Sequence, residues 1–268
     1  MTSPIIVFAG PSLPAASRPA GPFDWRAPAR AGDLLALLDR PPAALCLIDG
    51  YFDWCPAPWH KELLLLMARG TRLFGASSMG ALRAAELEPF GMVGIGAIFR
   101  AYRDGRLHGD DEVALIHATA EMDWEALSVP MVELRATLVA ACRARLIAPG
   151  QARRVRAIAR RIHYSERDWP AIHEACRAEA AIDPIVLRRL EAMHVPLKRL
   201  DALACLEAAL GPPAPERMKL APPATCFIAD LASELGLPAP APDGFAPAPP
   251  RSHRSDTSHA RSAQGDAA

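Results

Sequence analysis

The sequence predicts an α/β protein, a Rossmann-like open parallel sheet followed by an α-helical region and a disordered tail. Three observations carry this expectation. Residues 4–118 alternate short apolar runs with helical stretches; from about 120 to 210 the strand signals vanish, and Ala, Arg, Leu and Glu recur at helical spacing. Residues 238–268 are rich in Pro, Ala, Ser and Arg, a composition that cannot build a core. Apolar runs without polar alternation read as strands buried on both faces, and strands alternating with helices imply right-handed crossovers in one parallel sheet. The expected division is a 1–118 α/β core, a 119–237 helical region and a 238–268 tail.

In chain order, Ile5-Ile6-Val7-Phe8 is the first strand and delivers Gly10-Pro11-Ser12. A helix over 31–39 follows, then a strand at Leu45-Cys46-Leu47-Ile48 that ends in Asp49-Gly50-Tyr51. Pro58 can open a helix over 58–69, since proline is tolerated in a first helical turn. The third strand, Leu73-Phe74-Gly75, runs into Ser77-Ser78-Met79-Gly80 and a helix over 79–88, with another over 94–103. The fourth, Val113-Ala114-Leu115-Ile116, ends at His117. Beyond it, Pro130, Pro149, Pro170, Pro184 and Pro196 break the helical stretches of a small bundle.

Composition excludes several classes of function. A formal net charge of zero over 268 residues gives no electrostatic footprint for nucleic acid. The N-terminal residues lack a basic segment and a long apolar run, so a cytoplasmic location without a membrane segment is expected. The six cysteines (Cys46, Cys55, Cys142, Cys176, Cys205 and Cys226) are scattered and place no two thiolates at metal-ligand spacing. No G-x-G-x-x-G or Walker lysine follows the first strand, so neither a metal nor a cofactor is expected.

Open parallel sheets hold ligands beyond the carboxyl ends of their strands. Gly10, Ser12, Asp49, Gly50, Ser77, Ser78 and His117 should therefore share one rim. Ala76-Ser77-Ser78-Met79-Gly80 is a relative of the G-x-S-x-G elbow, in which a serine stands clear of a sharp strand-to-helix turn while the first helix amides face its target. The competing reading makes Ser77 or Ser78 an N-cap. His60 and Lys61 fall near a helix N-terminus on the same rim, where the helix dipole disfavours a protonated imidazole and leaves His60 able to accept a proton. A satisfied core histidine and a solvated lysine are the alternatives. Arg83 and Glu86 are spaced i, i+3, either as an exposed pair or facing the sheet. Asp110-Asp111-Glu112 is a cation site or solvated loop charge. The arginines at 143, 145, 153, 154, 156, 160 and 161 are a docking face for an acidic partner or a solvated helix surface.

Gly10-Pro11-Ser12-Leu13, Pro28 with Gly32-Asp33, Asp49-Gly50-Tyr51-Phe52, His60-Lys61-Glu62, Gly75-Ala76-Ser77-Ser78-Met79-Gly80-Ala81-Leu82-Arg83-Ala84-Ala85-Glu86-Leu87, Gly91-Met92-Val93-Gly94 and Asp110-Asp111-Glu112-Val113-Ala114 together resemble the TfuA-like core, over residues 4–118. Two positions depart from the family pattern. Ser77 stands where alanine is more usual, leaving Ser78 as the matching serine, and Gly109 replaces an acid.

The resemblance implies an accessory protein of YcaO enzymes in the modification of ribosomally made peptides. In backbone thioamidation the YcaO enzyme activates a peptide amide, and the TfuA-like protein helps to deliver sulfur from a ThiS-like carrier ending in a thiocarboxylate. Ser78 would attack that group with His60 or Lys61 removing its proton, and the Met79 and Gly80 amides would hold the oxyanion. Alternatively, water activated by His60 attacks while Ser78 only binds. Lys61 and Arg83 would offset the anionic charge, and Gly10, Ser12, Asp49, Gly50, Ser77, Glu86 and His117 complete the expected binding site. In a second reading the protein is a non-catalytic adaptor that docks the carrier or the precursor peptide onto the YcaO enzyme.

Overall fold

The computed structural model describes residues 4–212, 220–223 and 225–238, so the tail expected over 238–268 lies, from residue 239 onward, outside the described residues. Five strands, β1 (Ile5–Phe8), β2 (Phe23–Arg26), β3 (Ala44–Leu47), β4 (Arg72–Gly75) and β5 (Val93–Gly94), form one sheet in the order β2-β1-β3-β4-β5. Every pairing is parallel, as the alternation of strands and helices predicts. In this order the connections diverge between β1 and β3. Doubly wound sheets open a crevice at such a switch point, beyond the carboxyl ends of the two strands.

Alternate residues of the strands face two different helical layers. Ile6, Phe8, Leu45, Leu47 and Leu73 join a core with Leu63 and Leu66 of α1 (His60–Ala68), Ala81 and Ala84 of α2 (Met79–Leu87), and Ile98 and Phe99 of α3 (Gly96–Arg103). Ile5, Val7, Ala44, Cys46 and Phe74 point the other way, onto Ala202, Cys205, Leu206 and Ala209. Those four residues belong to a helix far along the chain.

Between them lie α4 (Met131–Arg143), α5 (Pro149–Arg161), α6 (Trp169–Ala180) and α7 (Pro184–Ala192), which bury a core of their own around Leu134, Leu138, Val155, Ile158, Ile172 and Leu187. The chain then returns to the sheet as α8 (Leu197–Leu210) and ends its described part with α9 (Cys226–Glu234). Two ties fix α8. Asp201 accepts the Ala97 and Ile98 amides at 2.9 and 2.8 Å, capping α3 with a carboxylate where unpaired N–H groups favour negative charge. Arg72 of β4 donates to the Gly211 and Ala209 carbonyls at 3.0 and 3.1 Å, satisfying the other end of α8.

Two expected elements differ from those observed. Residues 31–39 form turns around a short 3-10 segment, Leu35–Leu37. Val113-Ala114-Leu115-Ile116 is not a strand. The 3-10 turn Asp110–Glu112 precedes it, and the amides of Val113 and Ala114 fold back onto the Asp110 carbonyl at 3.0 and 2.9 Å. Val113 and Ala114 are nevertheless buried, which is why the segment is apolar. His117 therefore ends no strand. It begins a loop closed by a single antiparallel bridge to Ala126.

Candidate functional site

The elbow after β4 is built by close approach. A Cβ on Gly80 would sit 1.7 Å from the Leu47 carbonyl oxygen, and one on Gly75 would sit 2.2 Å from the Gly80 oxygen. Only glycine at both positions lets the start of α2 lie on the ends of β3 and β4. Ser77 carries the left-handed backbone of the turn, at φ 66°, and is fully buried, its Oγ donating to the Lys198 carbonyl at 2.6 Å. Ser78 occupies the N-cap position of α2, but its side chain makes no capping bond. It faces a small cavity of about 30 Å³ at the carboxyl end of the sheet, beside Asp49, Gly50, Tyr51, His117 and Lys198, with room for one or two waters.

The structure gives the expected rim residues separate tasks. Asp49 is buried, and its carboxylate accepts the Gly10 and Ser12 amides at 2.9 and 3.0 Å and the Ser12 hydroxyl at 2.6 Å. Gly10 and Ser12 thus hold the turn after β1 against β3 and do not line the cavity. Gly50 does line it, and a Cβ there would meet Met79 Cγ at 2.9 Å. His117 lies in the cavity wall with its ring 5.9 Å from that of Tyr51. Its Nδ1 pairs with the Ala118 carbonyl at 2.8 Å, which assigns the lone pair of a neutral ring to Nε2.

The Gly80 amide does not serve an oxyanion, because it donates to the Ile48 carbonyl at 3.2 Å. The Met79 amide, at the first position of α2, has no intrahelical acceptor and is the donor that the elbow leaves.

His60, Lys61, Arg83 and Glu86 are not in this cavity wall. His60 Nε2 meets Glu86 Oε2 at 2.6 Å, Arg83 Nη1 meets the same oxygen at 2.8 Å, and Arg83 Nε donates to the Pro58 carbonyl at 3.0 Å. Burial raises the Glu86 carboxyl, but the bonds from His60 and Arg83 outweigh it and hold the group below the usual range. His60 is about half exposed, and the cluster ties the start of α1 to α2 at the surface. Lys61 sits half-buried beside it.

Lys198, at the start of α8, is the residue that the sequence reading missed. It is 2% exposed and shares the cavity with Ser78. Its amide donates to Glu133 Oε1 at 3.1 Å, its carbonyl accepts from Ser77, and its Nζ donates to the Val113 carbonyl at 2.9 Å. Outside the cavity, Phe52, Asp53 and Tyr164 also line a larger cleft of about 350 Å³, which Asp110, Asp111, Arg160 and Arg167 share. Glu112 is buried between Arg135, at 2.5 Å, and Arg160, at 3.2 Å. That pairing gives the acidic cluster a structural role. Among the described residues no group of three or more His, Cys, Asp or Glu is placed to hold a metal, and no helix is long and apolar enough to cross a membrane.

Residues 49–168 match the family model described as TfuA-like protein. Over these residues the chain is similar to TfuA-like proteins. The TfuA-like match takes in Asp49, Gly50, the elbow and His117, whereas Gly10 and Ser12 precede it and Lys198 follows it. The family is associated with YcaO enzymes and supports an accessory role beside them. No match to a curated protein was found.

Proposed function

We propose that this protein supplies sulfide to a YcaO enzyme for backbone thioamidation by hydrolysing the C-terminal thiocarboxylate of a ThiS-like carrier. The observation that carries the reading is Ser78: a buried serine on a glycine-shaped elbow, unused as a helix cap, in a cavity at the switch point of the sheet. The cavity opens beside Tyr51, Phe52 and Asp53, and the reading requires these loop residues to part for the end of the carrier chain to reach Ser78. The outer cleft beside it leaves room for the extended tail of the carrier.

The reaction balances as acyl transfer. Ser78 Oγ forms a bond to the thiocarboxylate carbon, the Met79 amide is the donor offered to the oxygen that becomes negative, and collapse breaks the carbon–sulfur bond to release hydrosulfide. Water then cleaves the acyl-serine to give the carrier carboxylate. The arginines of α5 supply a docking surface for an acidic carrier, since Arg153, Arg154 and Arg156 are exposed along one helix. If docking is the whole function, the protein is an adaptor.

The test is sulfide release from a thiocarboxylated carrier by the purified protein. Ser78→Ala should lower the rate by roughly a hundredfold or more while keeping the thermal melt of the wild type. Release at the uncatalysed rate by the wild type would leave the adaptor.

A further inference from the structure

We propose that the groove between α3 and α4 docks an amphipathic helix of a partner protein, apolar along the face that enters and acidic where it meets Arg106, Arg135 and Arg143. The groove shares no lining residue with the Ser78 cavity, so the inference goes beyond the proposed function and does not rest on it.

The two faces of α4 are used differently. Leu134, Leu138 and Ala141 enter the core of the helical region. Val132, Ala136, Val139 and Ala140 recur at i, i+4, i+7 and i+8, the spacing of a second apolar stripe, and this stripe lines the groove. Helices α3 and α4 each pack on α8 and leave a space of about 940 Å³ between them, closed at the start of α8 by Val195 and Leu197. Ile98, Ala101, Leu107 and Val132 are buried at its base, whereas Val139 is 51% exposed. A lone exposed valine needs no explanation, but this one continues an apolar floor.

The charge around that floor has one sign. Its charged lining residues are three arginines, with no acid among them. Arg135 is balanced from behind by Glu112 and Arg106 by Asp104. Arg143 has no hydrogen-bonding or ion-pair partner among the described residues. The dipole of α4 favours a cation in its last turn, which accounts for Arg143 on this helix but not for a rim without acids. The electrostatic complement of such a surface is an apolar stripe flanked by carboxylates.

The walls also select the shape of the occupant. Both are helices, whose backbone groups are satisfied internally. An extended segment would find no backbone partners there and would bury its own N–H and C=O groups unpaired, whereas a helix satisfies its own and offers side chains at i, i+3, i+4 and i+7 as anchors. From Val132 to Arg143 the wall rises about 17 Å, the length of about three helical turns. Ala136 and Ala140 are small enough for the axes to approach closely.

The probe is a fluorescein-labelled synthetic helix of four turns, with leucine along one face and glutamate on both flanks, read by fluorescence polarisation against the full chain. Two sister peptides replace glutamate by lysine, or shuffle the same residues so that no apolar face remains. The acidic amphipathic peptide should bind at least tenfold more tightly than either, and less tightly as salt rises. Val139→Asp and Arg143→Glu, both at exposed positions, should each weaken it tenfold or more with an unchanged thermal melt. Arg40→Glu, exposed and outside the groove, should not. The proposal is overturned if the three peptides bind alike, if either groove variant binds within twofold of the wild type, or if Arg40→Glu weakens binding as much as Arg143→Glu. Dodecanoate that binds in the groove more tightly than the peptide and displaces it would make the groove a site for a small amphiphile and overturn the docked helix.

Discussion

Gly80→Ala tests how the site is built. The added Cβ falls 1.7 Å from the Leu47 oxygen and 2.6 Å from its carbon, where ordinary contact begins at 3.4 Å. Both atoms are backbone at the end of the central strand β3, so no side chain can swing aside. The start of α2 must move off β3 by about 1.7 Å. Overpacking costs about 1–3 kcal/mol when side chains can adjust, and a backbone collision lies at the upper end. At about 2–4 °C per kcal/mol for a chain of this size, the melt should fall by roughly 6–12 °C. Ser78 lies two residues before Gly80 and moves with it, and a misplacement on the order of 1 Å costs about a hundredfold in rate. The assay pairs a thermal melt with sulfide release. Gly150→Ala is the control, because its Cβ meets nothing closer than Arg153 Nη2 at 3.9 Å, and alanine in a helix gains a few tenths to about 1 kcal/mol. A Gly80→Ala protein that melts and reacts like the wild type would refute the close approach of α2 to β3 and the positioning drawn from it.

Other perturbations have separate readouts. Leu206→Ala in α8 should destabilise the protein by about 2–5 kcal/mol in a denaturant titration, because Leu206 packs against the second face of the sheet; a cost below 1 kcal/mol would place α8 outside that core. Burial pushes the Glu62 carboxyl up to about 7 even though it accepts the Gly32, Leu35 and Trp59 amides. The native state then binds its proton more tightly than the unfolded chain, so stability should fall as pH rises from about 4.5 through 7, and Glu62→Gln should flatten that slope; an unchanged slope contradicts it. Charge reversal at Arg153, Arg154 and Arg156 should leave the melt unchanged and weaken carrier binding, most at low salt. Equal affinity would remove the docking role of α5.

The parts of the fold legible in the sequence were those with an unambiguous physical signature. Most of β1, β3 and β4 is buried on both faces, so their sequences are nearly continuous apolar runs. Strand β2, Phe23-Asp24-Trp25-Arg26, lies half-buried at the sheet edge with polar residues in alternation, and β5 is only two residues long; neither shape stands out from loop sequence. Val113 and Ala114 show the converse error, since burial makes a segment apolar whether or not it pairs as a strand.

At the site, the glycines and serines of the elbow were readable because steric demand restricts residue type. The buried amine beside Ser78 was not. His60 lies near the start of α1, as expected, but its partners are Glu86 and Arg83 at the surface. Lys198 is 120 positions beyond Ser78 in an arginine-rich helical region, and only burial against the sheet sets it apart from a solvated lysine.

The most direct test of the central claim is the fate of a thiocarboxylated carrier in a single turnover, followed by intact mass and by sulfide. The account predicts that hydrosulfide appears with the carrier carboxylate and that quenching before completion traps the carrier as an ester on Ser78, absent in Ser78→Ala. A wild-type protein that binds the carrier yet leaves the thiocarboxylate intact would contradict it.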